Sequence, residues 1–162
     1  MLEDRLRILG IGAHPDDCEG LMGGTAIKYR RLGYIVKFVS TTNGDTGHYD
    51  MGGSKLARVR AEEMRGACGL FGIESEILDI HSNQLETDIL TREKIICLIR
   101  QFQPDIIFTH RLNDYHPDHR RTSILVQDSA YAVRIPNVCP LTPFLRYSPI
   151  IMYMVDNFKK PT

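Results

Sequence analysis

Two short runs of the chain combine residue types that hold metals and move protons. One is Ala13-His14-Pro15-Asp16-Asp17, the other His116-Pro117-Asp118-His119. Imidazole and carboxylate suit zinc or a similar divalent metal. Adjacent carboxylates allow a division of labour, one binding metal while the other acts as a base. Pro15 biases His14 toward an extended backbone. Pro117 suits the first position of a helix, and Asp118 its first turn. An isolated Asp-Asp at a helix start is more simply a cap, since Asp is a preferred N-cap residue. An isolated surface histidine usually has no chemical role. The pairing changes the balance: two His and an Asp, with a fourth position open to water, match a catalytic zinc site rather than a closed structural one. Spacing alone leaves open which of Asp16 and Asp17 is the ligand.

The elements that must bring these runs together can be read from periodicity. Short apolar runs at residues 7–13, 35–42, 75–80 and 105–110 are bounded by Gly, Pro or polar residues, as expected for strands buried on both faces, and a last strand is expected near 150–154. Helical stripes lie between them. Ala57, Ala61, Met64, Cys68 and Phe71 form one, Ile95, Ile99 and Phe102 another, and Thr122, Val126, Ser129 and Val133 a third. Gly33, Gly69 and Gly72 stand where helices would stop, and Pro104 precedes the fourth strand. The alternation predicts a single α/β domain, a Rossmann-like sheet of mostly parallel strands with helices on both faces. Such sheets bind ligands at the carboxyl ends of their strands. His14 to Asp17 and His110 to His119 both fall at such ends. The polar loop Asn43 to Ser54, with Gly44, Gly47, Gly52 and Gly53, follows the second strand and reads as a mobile wall over the site. His110 reads as a core or supporting residue, and His48 and His81 as solvated.

Composition narrows the class. Lys plus Arg and Asp plus Glu are 20 each, so a broad electrostatic grip on nucleic acid or an anionic membrane is not expected. With 162 residues, of which 43% are apolar, the chain can bury the core of one domain. No apolar run approaches the roughly 20 residues needed to span a bilayer. Residues 1–7 lack the apolar region of a signal peptide. Cys18, Cys68, Cys97 and Cys139 show no C-x-x-C spacing and read as reduced thiols of a cytoplasmic protein. Competing motifs fail: Pro15 stands where a dinucleotide fingerprint needs its third glycine, no Walker A lysine is present, and there is no G-x-S-x-G elbow.

The two runs together resemble the paired signatures of the PIG-L/LmbE-like zinc-dependent N-deacetylases. Thr42-Asn43-Gly44-Asp45 is similar to that family's turn after the second strand, and Arg60 to Glu63 with Leu70 to Ile73 to its second helix. The resemblance implies zinc, or another divalent metal such as Fe2+, held by His14, Asp17 and His119. It implies that Asp16 is the general base. His116 would stabilise the oxyanion and protonate the leaving amine, with Asp118 orienting it. Known members act on N-acetylglucosamine conjugates, so a small N-acetyl amino sugar is the expected substrate and a homo-oligomer the expected assembly. Arg60 offers donors to sugar hydroxyls or a phosphate, against the simpler reading of a helix residue paired with Glu63. Two features depart from the family: Cys18 stands where a Glu usually follows the two aspartates, and the usual C-terminal segment is expected to be missing. The rival readings are a catalytically inactive metal-binding module and a hydrolase of another amide or an ester.

Overall fold

A computed structural model describes residues 5–155. The elements alternate: β1 (Arg7–Gly12), α1 (Asp17–Arg31), β2 (Ile35–Ser40), α2 (Gly53–Gly69), β3 (Glu74–Ile77), α3 (Ile89–Phe102), β4 (Ile106–Thr109), α4 (Pro117–Ala132) and β5 (Ile150–Tyr153). The strands form one parallel sheet in the order β3-β2-β1-β4-β5. This is the α/β architecture that the periodicity predicts. Ile8 of the central strand pairs with Val36 on one side and Ile106 on the other.

Strand side chains alternate between faces, so each face collects its own helices. Ile8, Val36 and Phe38 pack with Cys18, Met22 and Ala26 of α1 and Met64 and Cys68 of α2. Leu9, Ile11, Val39 and Ile107 pack with Ile95, Ile99 and Phe102 of α3 and Leu125 and Val126 of α4. Burying each such large side chain contributes roughly 1.5–3 kcal/mol relative to exposure. The α3 stripe and the α4 stripe are buried as predicted.

Several expectations are corrected. Burial on both faces holds for β1, β2 and β4 but not for the edge strand β3, whose residues, like those of β5 at the other edge, are partly or well exposed. Every strand is shorter than its apolar run. Thr41 and Thr42 leave the ladder to donate to the carbonyls of Gly12 and Ala13, both at 2.9 Å. The third strand ends where Ile80 N–H turns back onto the Leu78 carbonyl at 2.9 Å. Phe71 lies beyond the end of α2 and is 45% exposed, so the stripe stops at Cys68.

Chain direction decides where the site forms. From β1 the chain moves outward through β2 and β3, then returns to β4 on the other side of β1. The connections after β1 and β4 therefore diverge and leave a crevice at the carboxyl end of the sheet. Both His/Asp runs open into that crevice. On the opposite side of α3, Arg100 is 2% exposed. Its guanidinium donates to the carbonyls of Ala132, Val133, Ile135, Val138, Cys139 and Thr142 at 2.6–3.1 Å. That one cation shapes the segment following α4. Among the described residues no helix is long and apolar enough to cross a membrane.

Candidate metal centre and active site

β1 ends at Gly12, and the next residues turn at once into α1. Asp16 N–H and Asp17 N–H both donate to the His14 carbonyl, at 2.8 and 3.2 Å. Asp17, the first residue of α1, returns its Oδ2 to the N–H groups of Ala13 (2.9 Å) and His14 (2.7 Å). Gly12 permits this closeness, because a Cβ there would lie 2.8 Å from that of Asp17. Asp16 precedes the helix yet makes no capping hydrogen bond. The simple capping reading therefore fails for Asp16, whose carboxylate remains exposed.

α4 supplies the other half. Pro117 occupies its first turn and His116 is its N-cap, with Nδ1 accepting from the Asp118 N–H at 3.1 Å. His119 turns toward β1. Its Nε2 lies 3.3 Å from His14 Nδ1 and 3.4 Å from Asp17 Oδ1. His14 Nδ1 lies 3.4 Å from Asp17 Oδ2. The far nitrogens are held by carboxylates: His14 Nε2 meets Asp118 Oδ2 at 3.2 Å, and His119 Nδ1 meets Asp114 Oδ1 at 2.9 Å.

This pairing decides what the centre can hold. With the outer nitrogens donating to Asp118 and Asp114, neutral rings would turn inner lone pairs toward the Asp17 anion, three electron-pair donors that a cation suits. Tetrahedral coordination at 2.0–2.1 Å would separate donor atoms by about 3.3–3.4 Å; the two histidines meet at 3.3 Å, and each meets its own oxygen of Asp17 at 3.4 Å. Histidine ligands backed by carboxylates are the usual support of a metal centre. The residues present thus fit a divalent cation. His116 and His110 extend the cluster: the donors of His14, His116 and His119, and those of Asp17, His110 and His119, each lie within 4.8 Å of one another.

Electrostatics follow the same contacts. Burial pushes His14 down, but the Asp118 and Asp17 carboxylates outweigh it and hold the ring at about 9 in the metal-free chain. Burial pushes Asp17 up, but bonds from His110, His119 and His14 carry it well below the usual carboxylate range. His116 is lowered, first by burial and then by the neighbouring His14 and His119. Asp118 also ends below its usual value, because His14 and the Asn83 N–H (2.7 Å) outweigh its burial.

The sequence expectation for Asp118 is corrected here. Its carboxylate meets the His14 ring and the Asn83 N–H, and only its backbone N–H meets His116. It therefore positions His14 rather than orienting His116. Two supporting residues were missed or undervalued. Asp114 fixes His119, and its position five residues before that histidine was the available signal. His110, 1% exposed, places Nε2 3.1 Å from Asp17 Oδ2 and stacks on His119 at 3.8 Å between ring centroids.

A cavity of about 230 Å³ opens beside the centre, lined by His14, Asp16, Arg60, Asn83, His116 and the glycine loop through Gly44, Thr46 and Gly47. Arg60 lines it while donating to Glu63 at 3.1 Å, so the pairing with Glu63 does not remove this residue from the cavity wall. The root of the loop is fixed. Asp45 accepts from the Ser82 N–H at 3.0 Å and meets His81 Nδ1 at 2.5 Å. Thus His81 is a partner of Asp45 and not merely solvated.

A family model described as GlcNAc-PI de-N-acetylase (PIG-L) matches residues 9–130. A diacetylchitobiose deacetylase from Thermococcus kodakarensis is 30% identical over 140 residues, covering 83% of this chain and 52% of its own length. The solved N,N'-diacetylchitobiose deacetylase from Pyrococcus horikoshii superimposes with a TM-score of 0.86 at 29% identity, over 96% of this chain and 62% of that one. A 4-carboxy-2-hydroxymuconate hydratase from Pseudomonas putida superimposes at 0.80 with 24% identity, over 90% of this chain and 64% of that one, and shows the shared fold alone. The chain spans about half the length of the Thermococcus relative it matches.

Proposed function

Since the chain belongs to the PIG-L family of de-N-acetylases, we propose that it is a metal-dependent hydrolase that removes acetyl from an N-acetylated amino sugar. The observation that carries this reading is the convergence of His14 Nδ1, Asp17 and His119 Nε2 at 3.3–3.4 Å beside the cavity holding Asp16 and His116. The similarity to deacetylases of diacetylchitobiose supports the substrate class.

His14, Asp17 and His119 would hold the cation, with Asp118 and Asp114 fixing the two rings. The donor set suits zinc, and two His with one carboxylate also suit iron(II). When bound, the cation lowers the pKa of water and polarises a carbonyl oxygen. Asp16, exposed in the cavity, takes the proton of the attacking water and returns it to the departing nitrogen. His116 presents Nε2 to the developing oxyanion, its other nitrogen being engaged by the Asp118 N–H. Arg60 bonds sugar hydroxyls across the cavity. Water adds to the acetyl carbon, the C–N bond breaks, and acetate and a free amine leave. Four free thiols fit the proposed reducing, cytoplasmic setting.

The test is acetate release from diacetylchitobiose and from N-acetylglucosamine conjugates, using protein stripped of metal and reloaded with zinc or iron(II). Metal-dependent acetate release that falls about 10²–10⁴-fold in Asp16→Asn, at unchanged metal content, supports the assignment. Full activity of that variant would remove Asp16 as the base, and absence of acetate from every loaded sample would remove the deacetylase reading.

A further inference from the structure

The four cysteines divide by access. Cys18 and Cys68 lie in the core, 1% and 2% exposed, and burial pushes both thiols up, Cys68 to about 12. Cys97 and Cys139 are free and partly exposed. Both line an open groove of about 510 Å³ together with Leu90, Pro140 and Leu141. The two cysteines, one from α3 and one from the segment after α4, thus open onto the same groove.

Polar contacts hold this approach from both sides. Thr142 Oγ1 donates to Cys97 Sγ at 3.4 Å. Cys139 Sγ donates to the carbonyl of Glu93, one helical turn before Cys97, at 4.0 Å. Arg100 lies one turn after Cys97 and donates to the carbonyls of Cys139 and Thr142, each at 3.0 Å. Cys139 has φ of 46°. A non-glycine residue keeps that left-handed conformation only where its surroundings impose it. The Arg100 scaffold therefore holds both cysteines on this groove, each sulfur in contact with a residue beside the other cysteine.

We propose that Cys97 and Cys139 are a reversible dithiol–disulfide couple, oxidised by low-molecular-weight disulfides that enter through the groove. The thiolate of Cys97 attacks one sulfur of the small disulfide. A mixed disulfide forms and one small thiol leaves. The thiolate of Cys139 then attacks the Cys97 sulfur and expels the second small thiol. Two protein thiols lose two electrons and two protons, and one small disulfide becomes two small thiols. Burial and the adjacent Cys97 raise the Cys139 thiol, which suits the resolving role rather than the first attack. Exchange-labile pairs of this kind are what a reducing compartment admits as redox sensors.

The consequence reaches the site without touching a ligand. The chain between the two cysteines carries β4, His110, Asp114 and the first turn of α4 with His116 to His119. A bond from α3 to the segment after α4 therefore ties down the half of the centre that those elements supply.

The experiment incubates the full chain with oxidised glutathione, then measures intact mass and maps peptides without reduction. The expected result is loss of two hydrogens, no retained glutathione, a Cys97–Cys139 cross-linked peptide, and reversal by dithiothreitol. Cys139→Ser is expected to trap glutathione on Cys97. The oxidised wild type should melt at a higher temperature than the reduced form, a shift that Cys97→Ser lacks. The wild-type map decides even if a variant fails to fold. A lasting glutathione adduct on the wild type, a cross-link through Cys18 or Cys68, or an unchanged mass would overturn the proposal.

Discussion

Asp118 Oδ2 lies 3.2 Å from His14 Nε2, on the opposite side of that ring from Asp17. A carboxylate in this position fixes the ring's tautomer and leaves Nδ1 as the free donor. Asp118→Asn is expected to lower metal affinity about 10–100-fold, measured by competition with a chelator. Unchanged affinity with reduced turnover would shift Asp118 to the acid chemistry of His116.

His116 is pushed below its ordinary value of 6.5 by burial and by its two neighbouring histidines. A lowered histidine loses its proton as pH rises through the depressed value, so the ring is neutral at about pH 7. With Nδ1 accepting from Asp118, the neutral ring carries its hydrogen on Nε2. In that state it can donate through Nε2 without being an imidazolium. His116→Ala should retain metal and lose about 10²–10³-fold in kcat. Wild-type kcat should stay level from about pH 7 to about pH 8.5. A falling limb in that range, abolished in His116→Ala, would restore the charged ring.

Arg60 lines the cavity while tethered to Glu63. Arg60→Ala is expected to raise KM by about tenfold, with kcat changed much less, because its contact is shared by ground and transition states. Steady-state kinetics on one N-acetyl sugar would check it. An unaltered KM at normal stability would leave Arg60 with a structural role alone.

The His81–Asp45 contact joins the loop after β2 to the segment before α3. The hydrogen bond that His81 makes to the Asp45 carboxylate raises His81 above 6.5. Burial pushes Asp45 up from 3.8, but the His81 and Ser82 bonds outweigh it and leave it lowered. The His81 contribution is present below 6.5 and lost as pH rises through the raised value. The Asp45 contribution is present above 3.8 and lost as pH falls through the depressed value. The loop root should thus be best protected between these limits. Hydrogen exchange at Ser82 N–H, which bonds Asp45, should accelerate on the alkaline side in the wild type and show no such dependence in His81→Gln.

Arg100→Leu removes the donor shared by six carbonyls around residues 132–142. The carbonyls of Ala132, Val133, Ile135 and Cys139 also accept backbone N–H groups, which leaves those of Val138 and Thr142 unmatched; at about 1–3 kcal/mol for each, a loss of at least about 2 kcal/mol is expected in denaturant unfolding. A change below about 1 kcal/mol would mean that the segment is held by other contacts.

Residue type and strand-end position were enough to bring the two His/Asp runs to one place, because a parallel sheet delivers successive loops to one edge; choosing Asp17 over Asp16 came from the family resemblance, not from spacing. The partner of Asp118 was not legible. Spacing places Asp118 beside His116, but the opening of α4 turns its carboxylate to His14. Asp114 lies five residues before the histidine it holds, a spacing that carries meaning only once His119 is known to turn toward β1; His110 meets Asp17, 93 residues away, so no local pattern marks it. Arg100 reads as an ordinary helix arginine, and its burial comes from a segment more than thirty residues later. The edge strand β3 is more exposed than its apolar run suggests, because such runs do not reveal which strands lie at the edge.

The order β3-β2-β1-β4-β5 also bears on how the centre is assembled in time. Synthesis releases His14 and Asp17 while His119, 105 residues beyond His14, has yet to be made. An emerging chain therefore carries an incomplete donor set until β4 docks against β1, a distant pairing of the kind that slows folding. On the proposed site, metal uptake would be a late event that reports a closed β1–β4 seam. A cation held only by the finished fold would stabilise that seam in proportion to the logarithm of its free concentration over Kd, so starving the chain of metal should leave this junction the first part of the sheet to reopen.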